Sequence, residues 1–215
     1  MSGGRRRRKS ADWARRQSSD QYVRKARAGG LRARAHFKLE EIDKRYHLIR
    51  PSTRLVDLGS APGSWTQYAA DRVTNPDQIV AIDLLPMQAV KGVHFISGDF
   101  TDSGVIAQVI AVLGNHPIDL VLSDMAPNIT GIRVTDEARA EAIQHAVLAF
   151  CGNALRRGGA LLTKLFEGET AAMMRQQMRS QFEQVQALKP DASRAESREL
   201  YLLGRGHRIV PDMGE

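Results

Sequence analysis

Residues 56–65, VDLGSAPGSW, join a short apolar strand to a turn that contains two glycines and opens into a helix. Gly59 and Gly63 carry no Cβ, so the backbone of such a turn can lie close to a bound nucleoside. A helix that starts near Gly63 would point free N–H groups into the same turn. The segment therefore predicts a strand–helix unit of a parallel sheet with a nucleotide-like cofactor at its end. It leaves the identity of that cofactor open.

The rest of the chain continues this alternation of strands and helices. Strands are predicted near residues 53–58, 78–83, 92–97, 118–123, 159–166, 183–189 and 199–205. Helices are predicted near residues 33–47, 63–73, 102–114, 135–157 and 169–181. Several strands are apolar throughout rather than at every second position, which is typical of strands covered by helices on both faces. We expect an α/β fold with a Rossmann-like, mostly parallel seven-stranded sheet.

The last two predicted strands, near 183–189 and 199–205, follow each other without a helix of useful length between them. They are therefore expected to form an antiparallel hairpin at one edge of the sheet. A sheet of this kind is typical of a methyltransferase-type Rossmann-like domain rather than of a dinucleotide-binding domain. We predict a flexible basic tail over residues 1–30, a single domain over 31–209 and a short tail over 210–215.

The composition fits one globular domain and indicates a location in the cytoplasm. The chain has 215 residues, of which 42% are hydrophobic and 26% charged, enough for one well-packed α/β domain. No apolar run approaches the roughly 20 residues that span a bilayer, and the arginine-rich N-terminus lacks the apolar stretch of a secretory signal. Cys151 is the only cysteine, which excludes an internal disulfide and is best explained by helix packing in a reducing cytosol. We expect a cytoplasmic protein with no membrane partner.

Positive charge is concentrated in the first quarter of the chain. Residues 1–54 hold 17 Lys/Arg against 5 Asp/Glu, whereas the other 161 residues hold 14 against 19. Such a segment neutralises phosphates and releases counterions, which is the usual basis of nucleic-acid affinity. The alternative is a solvated tail that only aids solubility. We favour nucleic-acid contact, and the residues predicted to bind RNA are Arg5, Arg6, Arg7, Arg8, Lys9, Arg32 and Arg34.

Charged residues stand at or near the carboxyl ends of five predicted strands, the edge where open α/β sheets bind their ligands. They are Asp57, Asp83, Asp99, Asp124 and Lys164. Asp83 is expected to accept both hydroxyls of a ribose, and Asp99 to accept a base amino group. Each acid alone is also explained as a turn former or a helix cap. The lysine in an apolar strand needs carboxylates around it, or else it reaches water beyond the sheet. A nicotinamide cofactor is still possible on these residues.

Several motifs resemble those of the FtsJ/RrmJ family of RNA ribose 2′-O-methyltransferases: VDLGSAPGSW, SDMAPN (123–128) followed by Gly131, and Lys164 and Glu199 on their strands. The resemblance extends from about Ala33 to Arg205, with the motifs in the family's order. It implies S-adenosyl-L-methionine as the methyl donor, S-adenosylhomocysteine as its product, and no metal. The catalytic tetrad that it implies is Lys38, Asp124, Lys164 and Glu199. The cofactor contacts that it implies are Gly59, Gly63, Trp65, Asp83, Asp99 and Asp124.

Within that family, the chain is most similar to bacterial members that methylate the A-loop uridine of 23S ribosomal RNA. The resemblance therefore implies ribosomal RNA as the partner, within the large ribosomal subunit, and we expect a monomer. Methylation of transfer RNA or of an mRNA cap is the alternative, because the same catalytic residues serve those targets. More distant alternatives are an NAD-dependent oxidoreductase, which leaves Lys164 unexplained, and a non-catalytic RNA-binding protein, which leaves the tetrad unexplained.

Lys164 is the residue expected to face the ribose hydroxyl. As a neutral amine it would be a general base, and as an ammonium it would orient the hydroxyl and stabilise developing negative charge on its oxygen. The sequence leaves both roles open. The loop over 126–134 is a candidate lid or RNA contact, with a surface connector as its alternative. Six scattered histidines and one cysteine give no metal-ligand spacing.

Deletion of residues 1–30 should weaken RNA binding and flatten its dependence on salt. Each lost phosphate contact removes about 0.7–0.9 from the slope of log K against log salt concentration, because fewer counterions are released. Fluorescence anisotropy with labelled RNA over a series of salt concentrations measures that slope. A slope equal to that of the full chain would mean that the segment serves only solubility.

Overall fold

The computed structural model describes residues 20–114, 116–127, 130–194 and 197–208. Within these residues, seven strands are formed: β1 (Leu55–Leu58), β2 (Ile79–Asp83), β3 (His94–Ser97), β4 (Ile118–Ser123), β5 (Leu155–Phe166), β6 (Phe182–Leu188) and β7 (Glu199–His207). The helices are α1 (Gln21–Ala28), α2 (Ala35–Tyr46), α3 (Ser64–Ala70), α4 (Ser103–Val112), α5 (Arg133–Ala154) and α6 (Glu169–Gln181), with a short 3₁₀ turn at Pro76–Gln78.

All seven strands belong to one sheet in the order β3–β2–β1–β4–β5–β7–β6. The first five strands in this order are parallel to one another, whereas β7 lies antiparallel between β5 and β6. The predicted fold class and its antiparallel edge are therefore confirmed. In the register, Leu58 pairs with Ile82 on one side and with Ser123 on the other. The carboxyl ends of β1, β2 and β4 consequently meet at one edge of the sheet.

Helices cover both faces of the sheet, as the apolar strands predicted. Val56 and Leu58 point into a core shared with α4, α5 and α6, whereas Leu55 points into a second core shared with α2 and α3. This alternation follows from the two-residue period of a strand. Cys151 is fully buried in the first core, so its predicted packing role is confirmed.

The second core fixes α2 against α3. A buried carboxylate, that of Asp43, accepts hydrogen bonds from the Ile49 amide (2.8 Å) and from the Tyr68 hydroxyl (3.0 Å). Leu39 and Ile42 of α2 are buried in the same cluster as Tyr68. Lys38, also on α2, is thereby held at a set position relative to the sheet. None of the described helices is both long and apolar enough to cross a membrane.

The prediction of a flexible tail over residues 1–30 is wrong for its last part, because Gln21–Ala28 forms α1. Asp20 caps this helix by accepting from the amide of Tyr22 (3.0 Å), and it also pairs with Arg34. The capped helix end and the ion pair stabilise this basic, polar segment and so offset the conformational entropy that is lost when it becomes ordered. Residues 1–19 and 209–215 lie outside the described part of the chain.

The boundary between the long helix and β5 also differs from the prediction. The helix was expected over 135–157 and the strand from 159, but α5 ends at Ala154 and β5 begins at Leu155. Leu155 already pairs with Ile118, but the next pair is Leu120 with Ala160, so the register shifts and the extra residues lie in β5. Gly158, with a φ of 76°, lies within this irregular part of β5.

Candidate active site

The glycine turn after β1 lies against the end of β2. The amides of Gly59 and Ser60 both donate to the Ile82 carbonyl, at 2.9 and 3.0 Å. Asp83 links the turn to the next loop, since its carboxylate accepts from the Ala61 amide and from the Leu85 amide, each at 2.8 Å. Asp83 therefore stands at the predicted cofactor edge, between the two segments that would flank a nucleoside.

Both glycines of the turn have positive φ angles, 68° at Gly59 and 97° at Gly63. Residues other than glycine rarely adopt such angles. A Cβ at Gly59 would overlap the side chain of Met125. A Cβ at Gly63 would lie 2.5 Å from Arg32 Nη1 and 2.6 Å from Met87 Sδ. The turn thus needs glycine both for its conformation and for close approach of its neighbours.

Lys164 and Asp124 form an ion pair across the ends of two adjacent strands. Lys164 Nζ lies 3.1 Å from Asp124 Oδ1, and it also donates to the Asp124 backbone carbonyl. The two side chains are only 11% and 22% exposed, so the lysine in its apolar strand has the carboxylate that its burial requires. Two members of the predicted tetrad are therefore in direct contact.

The other two members form a second ion pair. Lys38 Nζ from α2 lies 2.6 Å from Glu199 Oε1 at the start of β7. Burial opposes ionisation of Glu199, but the hydrogen bond and charge of Lys38 outweigh it and lower the pKa of this carboxyl. Glu199 is consequently a carboxylate at neutral pH, and α2 is joined to the antiparallel edge of the sheet.

Tyr201 connects the two ion pairs, and sequence reasoning missed it. Its hydroxyl donates to Asp124 Oδ1 at 2.8 Å, and Lys38 Nζ lies 5.7 Å from the centroid of its ring. Burial, followed by the charges of Asp124 and Glu199, raises the pKa of Tyr201, so the phenol stays a donor. The available signal was the strand period, because residues 199 and 201 share one face of β7.

Comparison with known proteins identifies the family. The model of the FtsJ-like methyltransferase family matches residues 31–207. The chain belongs to that family. The protein named ribosomal RNA large subunit methyltransferase E of Alkalilimnicola ehrlichii is 47% identical over 205 residues, which cover 94% of this chain and 98% of the relative.

Solved structures agree with the fold. A protein described as a ribosomal RNA methyltransferase from Plasmodium falciparum superposes with a TM-score of 0.73 at 25% identity, covering 82% of this chain and 98% of the other. A protein described as a methyltransferase from Streptococcus mutans, in complex with SAH, gives a TM-score of 0.50 at 12% identity and covers 74% and 89% of the two chains. Membership of the FtsJ-like family makes the protein a methyltransferase, which decides against the oxidoreductase that the glycine turn alone allowed.

The residues of the turn in this FtsJ-like methyltransferase fit a small polar ligand. The hydroxyls of Ser60 and Ser64 are buried, and no hydrogen-bond partner for either is found among the described residues. Buried hydroxyls of this kind require a partner. They flank Gly63 in a turn where the backbone can be approached closely. An amino-acid moiety with an ammonium and a carboxylate would supply the missing partners.

Two of the predicted cofactor contacts, Trp65 and Asp99, make contacts within the protein. The Trp65 ring does not lie open beside the turn, because it is 2% exposed and its Nε1 donates to the Ala35 carbonyl at 2.9 Å. It packs on Tyr201, with centroids 5.6 Å apart, and so supports the site from within the core. Asp99 stands at the cofactor edge, but one carboxylate oxygen forms a turn with the Thr101 amide (2.9 Å) and hydroxyl (2.7 Å).

The two described residues of the predicted RNA-binding set are engaged within the protein. Arg32 donates to three backbone carbonyls around the glycine turn. Arg34 pairs with Asp20 and donates to the Ala192 carbonyl. Their guanidinium groups therefore hold the N-terminal segment to the domain in this conformation. The predicted contacts at Arg5, Arg6, Arg7, Arg8 and Lys9 lie outside the described residues.

The loop expected over 126–134 is ordered at its end by one carboxylate. Asp136 accepts from the Thr130 amide and hydroxyl, both at 2.7 Å, and from the Gly131 amide at 3.0 Å. Residues 128 and 129 lie outside the described part. Across the described ranges, no group of three or more histidine, cysteine or acidic side chains is placed to hold a metal ion.

Asp57 is a buried residue of β1, two positions before Gly59 of the glycine turn. Its Oδ2 accepts from the Thr66 hydroxyl at 2.6 Å. Burial raises its pKa to about 7 despite that hydrogen bond, and the negative charges of Asp124 and Asp83 act in the same direction as burial. The group is therefore part protonated at neutral pH, in contrast to Glu199.

Asp57→Asn should change the pH dependence of stability. The unfolded chain releases the Asp57 proton near its ordinary pKa, whereas the folded protein holds it up to about pH 7. Between these values the folded state binds more protons, so the free energy of unfolding falls as pH rises, by about 1.4 kcal/mol per pH unit. The asparagine variant lacks this loss, so its stability relative to the wild type should increase across the window.

Urea unfolding at several pH values from about 4 to 7 measures the effect. Asp77→Asn is the matched control, because Asp77 is exposed and its replacement should leave the wild-type slope unchanged. Parallel stability curves for the wild type and Asp57→Asn would contradict the assignment of a raised pKa to Asp57.

Proposed function

We propose that this FtsJ-like methyltransferase transfers a methyl group from S-adenosyl-L-methionine to the 2′-hydroxyl of a ribose in RNA. The observation that carries the proposal is the Lys164–Asp124 ion pair at the edge of the sheet that also bears the glycine turn. A methyl donor in the turn would bring its reactive carbon toward this pair. Asp124 would face both the donor and the lysine that directs the acceptor.

The donor would be held by the turn and by the acids of the neighbouring strands. When bound, S-adenosyl-L-methionine supplies a methyl group on a positively charged sulfur. Gly59 and Gly63 would give its amino-acid moiety close access to the backbone, Asp83 would accept from its ribose, and Asp99 from its base amino group. Asp124 would contribute negative charge near the sulfur. This assignment of roles is supported by the positions of these residues along one edge.

Lys164 would orient the acceptor as an ammonium. An ammonium has three N–H donors. In the structure, Lys164 contacts both the side chain and the backbone carbonyl of Asp124. A further donor can be directed to the 2′-oxygen, where it would align the hydroxyl and stabilise the charge that develops on it. As the bond between the 2′-oxygen and the methyl carbon forms, the carbon–sulfur bond would break, S-adenosylhomocysteine would leave, and the hydroxyl proton would pass to solvent. The Asp124 carboxylate lies 3.1 Å from this ammonium and so limits the directions in which it can point.

Space for the acceptor lies beside the same lysine. A cavity of about 250 Å³ lies beside Lys164, and its apolar lining includes Met125, Ile143 and Phe166. Its other charged lining residues are Asp136, Glu137, Glu167 and Arg198. Mixed linings of this kind suit a nucleoside, which has an apolar ring face and polar edges. The cavity thus supports a nucleoside acceptor next to the Lys164–Asp124 pair.

The RNA target that we propose is the A-loop uridine of large-subunit ribosomal RNA, within the assembled subunit. The name of the relative from Alkalilimnicola ehrlichii, ribosomal RNA large subunit methyltransferase E, supports large-subunit ribosomal RNA as the substrate. The excess of basic residues in the first 54 positions supports a phosphate-rich partner. We propose that the protein acts as a cytoplasmic monomer. Transfer RNA and capped mRNA are the comparison substrates in the test.

Lys164→Ala should abolish methyl transfer while it leaves cofactor binding largely intact. Loss of a donor that acts on the developing charge is expected to lower kcat by about 10²–10³-fold. Transfer of labelled methyl groups to large ribosomal subunits, and calorimetric titration with S-adenosyl-L-methionine, separate the two quantities. Arg179→Ala is the control, because Arg179 is an exposed cation near the end of α6, and it should retain full turnover. Wild-type turnover by Lys164→Ala would contradict the proposed role.

A further inference from the structure

Arg32 makes an unusual set of hydrogen bonds for a residue of a basic N-terminal segment. Its Nη1 donates to the carbonyls of Pro62 (2.9 Å) and Gln88 (2.6 Å), and its Nη2 donates to the carbonyl of Ala89 (2.8 Å). Its backbone amide lies 3.3 Å from Gln67 Oε1, an acceptor on α3. One planar guanidinium thus binds three backbone acceptors from two separate segments of the chain.

The two segments are the walls of the proposed cofactor site. Pro62 belongs to the glycine turn, and Gln88 and Ala89 belong to residues 84–93, the connection between β2 and β3. Asp83 joins the same two walls at the other end, through its hydrogen bonds to the amides of Ala61 and Leu85. Arg32 and Asp83 therefore connect the turn and the loop at two separate points.

The loop has little apolar anchorage near its start. Leu84 and Leu85 are 70% and 65% exposed, so burial of these side chains does not hold residues 84–93 against the domain. Charge-assisted hydrogen bonds are stronger than neutral ones, and the Arg32 guanidinium supplies two of them to this loop. Its approach also requires Gly63, where a Cβ would lie 2.5 Å from Nη1.

We propose that Arg32 is a positioning residue for the cofactor site, which holds loop 84–93 against the glycine turn and so sets the affinity for S-adenosyl-L-methionine. The proposal rests on the proposed function, since it takes the turn as the cofactor site. It also assigns Arg32 a role different from the RNA contact that its charge predicted. Arg32 acts through the backbone of Gln88 and Ala89 and does not need to touch the cofactor.

The test compares Arg32→Met and Arg32→Lys with Arg34→Met in the full-length protein. Methionine keeps an unbranched apolar stem and removes the donors. Lysine keeps the charge, but its single ammonium cannot reproduce a planar fork bound to three carbonyls. Arg34→Met removes the same charge from the same segment, but the contacts it loses are those to Asp20 and Ala192.

Calorimetric titration with S-adenosyl-L-methionine and hydrogen–deuterium exchange of residues 84–93 are the two readouts. We expect Arg32→Met to weaken cofactor binding by about tenfold or more and to speed exchange in the loop. Arg32→Lys should fall between Arg32→Met and the wild type, and Arg34→Met should match the wild type in both. In steady-state assays, the KM for the cofactor should rise in Arg32→Met while kcat at saturating cofactor changes less.

Two results would overturn the proposal. One is an unchanged cofactor affinity and unchanged loop exchange in a folded Arg32→Met or Arg32→Lys variant. The other is an equal loss of RNA affinity in Arg32→Met and Arg34→Met with no change in cofactor binding, which would make Arg32 an RNA contact. Failure of the wild-type protein itself to bind S-adenosyl-L-methionine would instead contradict the proposed function, and with it the premise of this role.

Discussion

The ion pair between Lys164 and Asp124 is the interaction on which the rest of the site depends. A lysine in the apolar strand β5 carries a desolvation cost that only a close partner offsets. The partner comes from the end of the adjacent parallel strand, at 3.1 Å. Because β4 also pairs with β1, the same geometry sets the pair beside the glycine turn. The sheet thus brings the proposed donor site and the proposed acceptor lysine together.

The antiparallel edge and the helix α2 complete this arrangement from the other side. Glu199 opens β7 and pairs with Lys38 of α2 at 2.6 Å, and Tyr201 on the same strand donates to Asp124. The Tyr201 ring packs on Trp65, which in turn holds the start of α2 through its indole N–H. The packing of Tyr201 on Trp65 therefore restricts the orientations of the charged side chains of Lys38, Asp124 and Glu199.

The sequence predicted the sheet better than the boundaries of its elements, and the family resemblance implied the four residues of the ion pairs but not how they pair. Strands that are apolar throughout indicate a mostly parallel sheet covered by helices on both faces. The glycine turn indicates where the first of these strands ends and the next helix begins. The resemblance implied a cofactor contact for Trp65, with packing of its helix as the alternative, because sequence position does not tell which way a helix residue points. Tyr201 was missed because its role depends on pairing with Asp124 across the sheet. Arg32 was assigned to RNA, since charge alone does not reveal an internal set of carbonyl acceptors.

We propose that Lys164 and Asp124 direct methyl transfer to one ribose of large-subunit ribosomal RNA. Mapping of 2′-O-methylated nucleotides in RNA from cells with and without this protein measures the transfer at its target. A single A-loop uridine should lose its methyl group in the deletion strain and regain it with the wild-type protein but not with Lys164→Ala. Persistent methylation of that uridine in the deletion strain, or its restoration by Lys164→Ala, would rule out this role.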